Sequence, residues 1–174
     1  DFQIGQMDID IRYGLPHWPD LHVEPVFTER VLPLASPLFV ERHQIRTPVD
    51  LLQVPLIQSS VNVVQWPEWF DRFGRKQRPE RFALRFDRAM MSLDAAVQGM
   101  GVALESATLG AEHIAAGRLQ AVLDEKLSLE VKAHFMVYPA RHASRPEVLS
   151  FVEWMREEAR TPPGNKRSKR VKML

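Results

Sequence analysis

The stretch AAVQGMGVAL, residues 95–104, predicts the end of a helix followed by the start of a buried strand. Apolar residues recur at helical spacing before Gly99, whereas residues 102–104 are continuously apolar. Gly99 follows the helix directly, a position at which glycine adopts the left-handed conformation without steric cost. A phosphate-binding GxGxxG loop is excluded, because its third glycine position is Leu104 and that loop precedes a helix rather than a strand.

Strand and helix patterns alternate along the rest of the chain. Residues 8–13, DIDIRY, alternate apolar and polar side chains as a half-buried strand does. Ser36 and Thr47 are each followed by proline, which predicts two short helices. Further strands are predicted within residues 23–35, 55–60, 82–86, 102–104 and 131–138, and further helices after Trp66, Asp87 and Ser106 and over residues 146–159. This alternation predicts an α/β fold with a mostly parallel sheet, in which ligands bind beyond the carboxyl ends of strands.

The composition is that of a globular protein. The chain has 174 residues, of which 45% are hydrophobic, and it contains no cysteine. Six of the 23 basic residues lie in residues 160–174, so the remaining chain has 17 basic against 22 acidic side chains. An acidic body argues against a nucleic-acid-binding surface, and we expect residues 161–174 to form a disordered basic tail. No secretory signal or membrane-spanning run is seen, so we expect a cytoplasmic protein without membrane contact.

The residues that could carry chemistry favour binding over catalysis. No two of the six histidines lie four residues apart, no GxSxG or phosphate-binding motif occurs, and the paired carboxylates lie in solvated contexts. We therefore expect neither an enzyme nor a bound metal or cofactor. Polar residues follow the predicted strands instead, namely Tyr13, Ser59, Ser60, Asp87, Glu105 and Ser106. Such groups suit recognition of a small molecule, although helix capping is an alternative role for Asp87 and Ser106.

Several segments, in order, resemble the effector-binding domain of LysR-type transcriptional regulators, in the branch of the glycine-cleavage activator. They are DIDIRYG (8–14), the WPxL loop (18–21), LASPLF (34–39), RTPVDLLQVPLI (46–57), RFDRAMMSLDAAVQGMGVALESATLGAEHIAAGRL (85–119) and YPARHASRPEVLSFVEWMREEA (138–159). The resemblance covers about residues 1–160.

The resemblance implies two Rossmann-like lobes of the type 2 periplasmic-binding-protein kind, joined by two crossing strands at residues 29–36 and 134–139. Lobe I would comprise residues 1–30 and 140–160, and lobe II residues 31–139. A small-molecule effector would be held in the cleft. The effector-binding residues implied by position are Tyr13, Glu29, Ser59, Ser60, Asp87, Arg88, Leu104, Glu105 and Ser106.

Family members carry a helix-turn-helix, a linker helix and the first strand and helix of lobe I ahead of the DIDIRYG motif, and the sequence given has none of these. We therefore expect an incomplete first lobe, contact with promoter DNA only through the missing N-terminal domain, and association through the open sheet edge or poor order there. We also expect a homodimer or homotetramer.

The favoured function is effector sensing and oligomerisation within a transcriptional regulator. A solute-binding protein of a transport system is the alternative with the same fold, and an enzyme on this scaffold is a third possibility. Arg12 or Arg88 near the cleft would suit an anionic group such as a carboxylate, with a surface ion pair as the alternative for each arginine.

Overall fold

The computed structural model describes residue 2, residues 7–74 and residues 77–160. These residues form nine strands and five α-helices, which confirms the predicted α/β fold. The strands are β1 (Asp10–Tyr13), β2 (Leu21–Pro25), β3 (Glu29–Ala35), β4 (Leu56–Ser59), β5 (Leu84–Phe86), β6 (Val102–Ser106), β7 (Gln120–Ala121), β8 (Leu129–Val131) and β9 (His134–Pro139). The helices are α1 (Pro37–His43), α2 (Trp66–Phe73), α3 (Ala89–Val97), α4 (Ala111–Ala115) and α5 (Pro146–Arg160), and short 3-10 helices span Pro48–Gln53, Glu125–Leu127 and Ala140–His142.

The chain divides into two compact units. Unit 1 combines Asp1–Phe27 with His134–Leu174, and unit 2 is Thr28–Ala133. The sequence placed the two boundaries a few residues later, after residue 30 and after residue 139. Strand β9 accounts for the second difference, because it pairs with β1 and β2 inside unit 1. The first arises because β3 begins by pairing with β8 inside unit 2.

Unit 1 is a small antiparallel sheet packed against one long helix. Its strand order is β1-β9-β2, with both outer strands antiparallel to β9. Val148 and Val152 of α5 are buried in one cluster with Met136 and Tyr138 of β9. The helix predicted over residues 146–159 is therefore confirmed, and its apolar side chains face the sheet.

Unit 2 contains a mixed sheet of order β5-β4-β6-β3-β7, with β8 also paired to β3. Strand β4 is parallel to β5 and β6, but β3 is antiparallel to β6, β7 and β8. The expected mostly parallel sheet is thus wrong. Helices between consecutive strands indicate the crossovers that make β4, β5 and β6 parallel, whereas the direction of β3 is set by tertiary pairing that no local pattern encodes.

Two apolar clusters form the core of unit 2. One holds the fully buried rings of Trp66, Trp69 and Phe70 from α2. The other includes Ile57 of β4 and Leu93 of α3. Leu56 belongs to the first cluster and its neighbour Ile57 to the second, because successive side chains of a strand point to opposite faces.

Gly99 and Gly101, in the turn from α3 to β6, are needed for two different structural reasons. Gly99 directly follows the C-cap of α3 with φ +72°, as predicted, and its N–H donates to Ala96 O at 3.0 Å. A Cβ on Gly101 would lie 2.5 Å from the carbonyl oxygen of Pro55. Gly101 therefore permits the close approach by which Val102 N donates to that carbonyl at 2.9 Å.

Within the described residues, no helix is both long and apolar enough to cross a membrane. The basic tail predicted to be disordered, residues 161–174, lies outside the described residues. Association through an open sheet edge stays a prediction.

Candidate functional site

Polar residues of unit 2 collect at one end of its sheet because three neighbouring strands run in the same direction. In the parallel register Ser59 lies opposite Phe86, and Ile57 lies opposite Ala103. The carboxyl ends of β4, β5 and β6 therefore lie side by side along the edge of the sheet that is formed by strand ends, not by an outer strand. Strand β3 runs the other way and begins there, with Val31 opposite Ser106. The predicted residues gathered at this edge are Glu29, Ser59, Ser60, Asp87, Arg88, Leu104, Glu105 and Ser106.

Ser60 ties the ends of β4 and β5 together. Its backbone N–H and its hydroxyl both donate to the carbonyl oxygen of Phe86, each at 2.9 Å. Ser60 is exposed, whereas Ser59 is 3% exposed. The two serines thus offer one solvent-facing and one buried hydroxyl at the same strand end.

Asn62 shapes the loop that follows β4 and was missed by the sequence analysis. Its side-chain amide donates to Leu104 O at 3.0 Å and to Glu105 Oε2 at 3.3 Å, and its Oδ1 accepts from Val64 N at 3.0 Å. The sequence did contain one indication of this role, namely an amide side chain three positions after the end of a buried strand. Leu104 is itself a core residue that contributes its carbonyl oxygen rather than its side chain.

Glu105 is the main electrostatic feature of this edge. Its side chain is buried, and the residue is 1% exposed. Burial raises the pKa of Glu105 from 4.5 to about 7. The Ser59 and Ser92 hydroxyls and the Ser106 N–H oppose this rise in pKa, and the negative charge of Glu29 adds to it. Glu29 is also 1% exposed, at the start of β3.

Ser92 is a second residue that the sequence analysis missed. It lies in α3 and is fully buried, on the same side of the helix as Leu93, Ala95 and Ala96. Little in the sequence indicated this, because the methionines at positions 90 and 91, which look apolar, are about half exposed.

The capping roles predicted for Asp87 and Ser106 are wrong. Arg88, not Asp87, is the N-cap of α3, and it makes no side-chain capping hydrogen bond. Gly110 is the N-cap of α4, because the chain first makes a turn in which Ser106 Oγ accepts from Thr108 N at 3.2 Å. Neither helix start needs the predicted side chain, so both residues remain available for another role.

Tyr13 lies in unit 1, at the end of β1. It is opposite His134 in the β1–β9 register, and the two rings meet edge to face with centroids 4.8 Å apart. Tyr13 is 37% exposed. Its role as an effector contact stays a prediction.

The two arginines proposed for an anionic group each contact an acid. Arg12 Nε donates to Asp10 Oδ2 at 3.0 Å, and its guanidinium lies 5.6 Å from the ring centre of Phe2. Arg88 Nη1 lies 3.4 Å from Asp87 Oδ2, and both side chains are exposed. These are the surface ion pairs named as the alternative. Within the described residues, no group of three or more His, Cys, Asp or Glu side chains could hold a metal ion.

Comparisons with known proteins agree with this fold. Residues 2–160 match the model of the LysR substrate binding domain. The chain is 35% identical over 158 residues to the HTH-type transcriptional regulator PerR of Escherichia coli K12, covering 90% of this chain and 52% of PerR. It is 29% identical over 154 residues to the glycine cleavage system transcriptional activator of the same strain, covering 88% of this chain and 50% of the activator. The chain thus spans about half the length of these curated relatives.

A solved structure shows the same architecture. The effector domain of the transcriptional regulator AmpR of Pseudomonas aeruginosa superposes with a TM-score of 0.76 and 26% identity, covering 91% of this chain and 75% of that one. The curated relatives are named transcriptional regulators, a non-enzymatic family. The chain belongs to the LysR substrate-binding domain family.

Proposed function

We propose that the chain is the sensory and oligomerising part of a LysR-type transcriptional regulator and that it binds a small-molecule effector at the strand ends of unit 2. The observation that carries this proposal is the group of polar side chains at the carboxyl ends of β4, β5 and β6. Ligands of α/β sheets bind at such ends, because several strands deliver polar groups to one place.

The relatives supply the regulatory part of the proposal. PerR is named an HTH-type regulator, and the AmpR structure is named an effector domain. In this proposal promoter DNA is contacted by a helix-turn-helix domain of the full-length protein, and effector binding shifts the population of its conformations. That Tyr13 of unit 1 contacts the same effector stays a prediction.

A thermal-shift screen of amino acids, aromatic acids and other small carboxylic acids tests the sensory role. A compound that binds the folded state raises the melting temperature. The shift should shrink in Ser60→Ala, which loses the exposed hydroxyl but keeps the backbone hydrogen bond to Phe86. Ser144→Ala, an exposed serine of unit 1, should keep the full shift. Equal shifts in both variants would move the site away from these strand ends, and no shift with any compound would contradict small-molecule sensing.

Sedimentation velocity tests the oligomerising role. In unit 1 the described residues leave β1 and β2 each paired on one side only, and unpaired edges favour association with another chain. We expect a dimer or tetramer whose population grows with protein concentration. A monomer throughout the micromolar range would contradict this part of the proposal.

A further inference from the structure

A cavity of about 800 Å³ lies at the end of the unit 2 sheet that is opposite to the proposed effector site. Two segments line it, residues 52–56, which lead into β4, and residues 78–83, which lead into β5. Leu56 begins β4 and Ser59 ends it, and these three steps along a strand span about 10 Å. The cavity is therefore a different place from the carboxyl ends of the strands.

The part of the cavity that faces the core is apolar. Leu56 is 3% exposed and belongs to the same core cluster as Trp66. Leu52, Val54 and Phe82 also line the cavity and pack against this cluster, but each of them remains partly exposed. The core thus holds these side chains in place, and their outer surfaces form a preformed apolar wall. A cavity of this volume and lining suits a small molecule that carries an apolar group.

Charged side chains line the outer part of the cavity. They are Arg78, Glu80 and Arg81, and all three are exposed. Arg78 donates from Nε and Nη2 to the two carboxylate oxygens of Asp71, at 3.1 and 2.5 Å. This pairing fixes the position of the Arg78 guanidinium and offsets its charge. It also leaves three of the five N–H donors of that group for another partner.

The charges around the cavity are positive in sum. Among the described residues, neither Arg81 nor Glu80 takes part in an ion pair. Arg85 adds a further positive charge close by, because its guanidinium lies 4.9 Å from the centre of the Phe82 ring. Residues 72–85 contain six basic and one acidic side chain, whereas residues 1–159 as a whole contain 17 basic and 22 acidic ones. An otherwise acidic body thus concentrates positive charge at this cavity, which favours an anion.

We propose that this cavity is a second small-molecule site and that it binds a carboxylic acid with an apolar group. The carboxylate pairs with Arg81, and the remaining N–H donors of Arg78 add hydrogen bonds. The apolar group lies against Leu52, Val54 and Phe82. Arginine suits this role because its planar guanidinium matches both oxygens of a carboxylate. This site goes beyond the proposed function, since neither of the two depends on the other.

Glu80 distinguishes a simple acid from a zwitterion. A ligand with an ammonium group as well as a carboxylate would use Glu80 as a counter-ion, whereas a simple acid is repelled by it. The excess of arginine around the cavity favours the simple acid. Glu80→Gln should therefore tighten the binding of a simple acid about twofold, an effect of the size expected for an exposed charge. Weaker binding in Glu80→Gln would overturn this ligand class.

The test uses phenylacetate, phenylpropionate and octanoate, each together with the primary amide of the same acid. A thermal-shift screen selects the pair with the largest shift, and isothermal titration calorimetry then measures both affinities. The carboxylate should bind at least about tenfold more tightly than the amide, which keeps the apolar group but lacks the charge. Added salt should weaken the carboxylate but not the amide, because the arginines that line the cavity are exposed.

Arg81→Gln tests the assignment. The matched control is Arg42→Gln, which changes an exposed arginine of α1 that does not line the cavity. Both side chains are exposed, and a cooperative unfolding transition verifies the fold of each variant. Arg81→Gln should weaken the carboxylate at least about tenfold and leave the amide unchanged, whereas Arg42→Gln should change neither. Unchanged affinity in Arg81→Gln, equal binding of the acid and its amide, or no binding of any probe would each overturn the proposal.

Ser60→Ala separates this site from the effector site of the proposed function. Binding of the carboxylate in the cavity should be unchanged in Ser60→Ala, because Ser60 follows the carboxyl end of β4 and the cavity lies at its amino end. A carboxylate that needs Ser60 and not Arg81 would overturn the second site and support the proposed function. Binding that needs Arg81, with no compound that needs Ser60, would support the second site and contradict the proposed effector site.

Discussion

The two units hold a glutamate in opposite ways. In unit 1, Glu24 accepts two hydrogen bonds from Arg156, at 2.6 and 2.7 Å, and this pairing holds its pKa below 4.5. In unit 2, Glu105 is buried among neutral donors, and its pKa rises to about 7. Arg156 neutralises Glu24 within unit 1, whereas no cation among the described residues pairs with Glu105 in unit 2. This contrast agrees with the proposed effector site at the strand ends of unit 2.

The cores differ as well. Unit 2 packs Trp66, Trp69 and Phe70 from a single helix, all fully buried, while the tryptophan of α5 in unit 1, Trp154, is 51% exposed. A large rigid core can hold a buried polar group in an unfavourable environment, because the surrounding packing outweighs its cost. The following predictions test this contrast, from the largest expected effect to the smallest.

Trp66→Ala should lower the free energy of unfolding by about 3–5 kcal/mol. The change leaves a cavity beside Trp69 and Phe70, and it removes the hydrogen bond from Trp66 Nε1 to Ile57 O at 2.9 Å. Urea unfolding followed by circular dichroism measures the loss. Trp154→Ala is the control and should cost less than about 1 kcal/mol, since about half of that ring is in water. Equal losses in the two variants would remove the contrast between the cores.

Glu105→Gln should remove a pH dependence of stability. The folded-state pKa of Glu105 is about 7 and the unfolded value is 4.5, so the folded state binds more protons between these values. Wild-type stability from this group is therefore highest below pH 4.5 and falls as pH rises to 7 and above, by about 3 kcal/mol in all. Unfolding free energies at pH 5 and pH 8 measure it, with Glu112→Gln as the reference. The idea fails if the wild type and Glu105→Gln differ by the same amount at both pH values.

Glu24→Gln should change the free energy of unfolding less than Glu105→Gln does. Its effect should also depend on pH in the opposite direction. The folded-state pKa of Glu24 is lowered, first by its hydrogen bonds with Arg156, so its contribution is present above pH 4.5 and is lost as pH falls through the folded value. The expected loss in the variant is only about 0.5–1 kcal/mol at neutral pH, because the pair faces solvent and is screened. Thermal unfolding at low and at high salt measures it. A loss that does not shrink in high salt would mean that the pair contributes by packing rather than by charge.

Much of the fold was predictable because local patterns carry it. Three features depend on residues close in sequence. They are the glycine turn after α3, the apolar stripe of α5 and the proline at the start of each early helix. The sheet of unit 2 was only partly predictable. Crossover helices indicate the parallel strands β4, β5 and β6, but the antiparallel direction of β3 depends on partners far away in the chain.

The residues of the candidate site also divide into those that local sequence predicts and those that depend on partners far away in the chain. Ser59, Ser60 and Glu105 could be found because they follow recognisable strands. Asn62 and Ser92 were missed, because their relation to Glu105 depends on the tertiary structure. Asn62 lies 43 positions from Glu105 in the chain, and Ser92 reaches Glu105 through the packing of α3. The predicted caps at Asp87 and Ser106 were wrong because the chain turns before each helix begins.

The sequence by itself determined the elements, the α/β class and the strand ends where polar residues accumulate, since these follow from residue spacing and backbone preference. Only the tertiary structure decided which polar groups are buried, which acids meet a cation and which remain without one. The physical reason is that desolvation and charge pairing depend on neighbours in space, and for Glu105 those neighbours come from β4, α3 and the loop after β4.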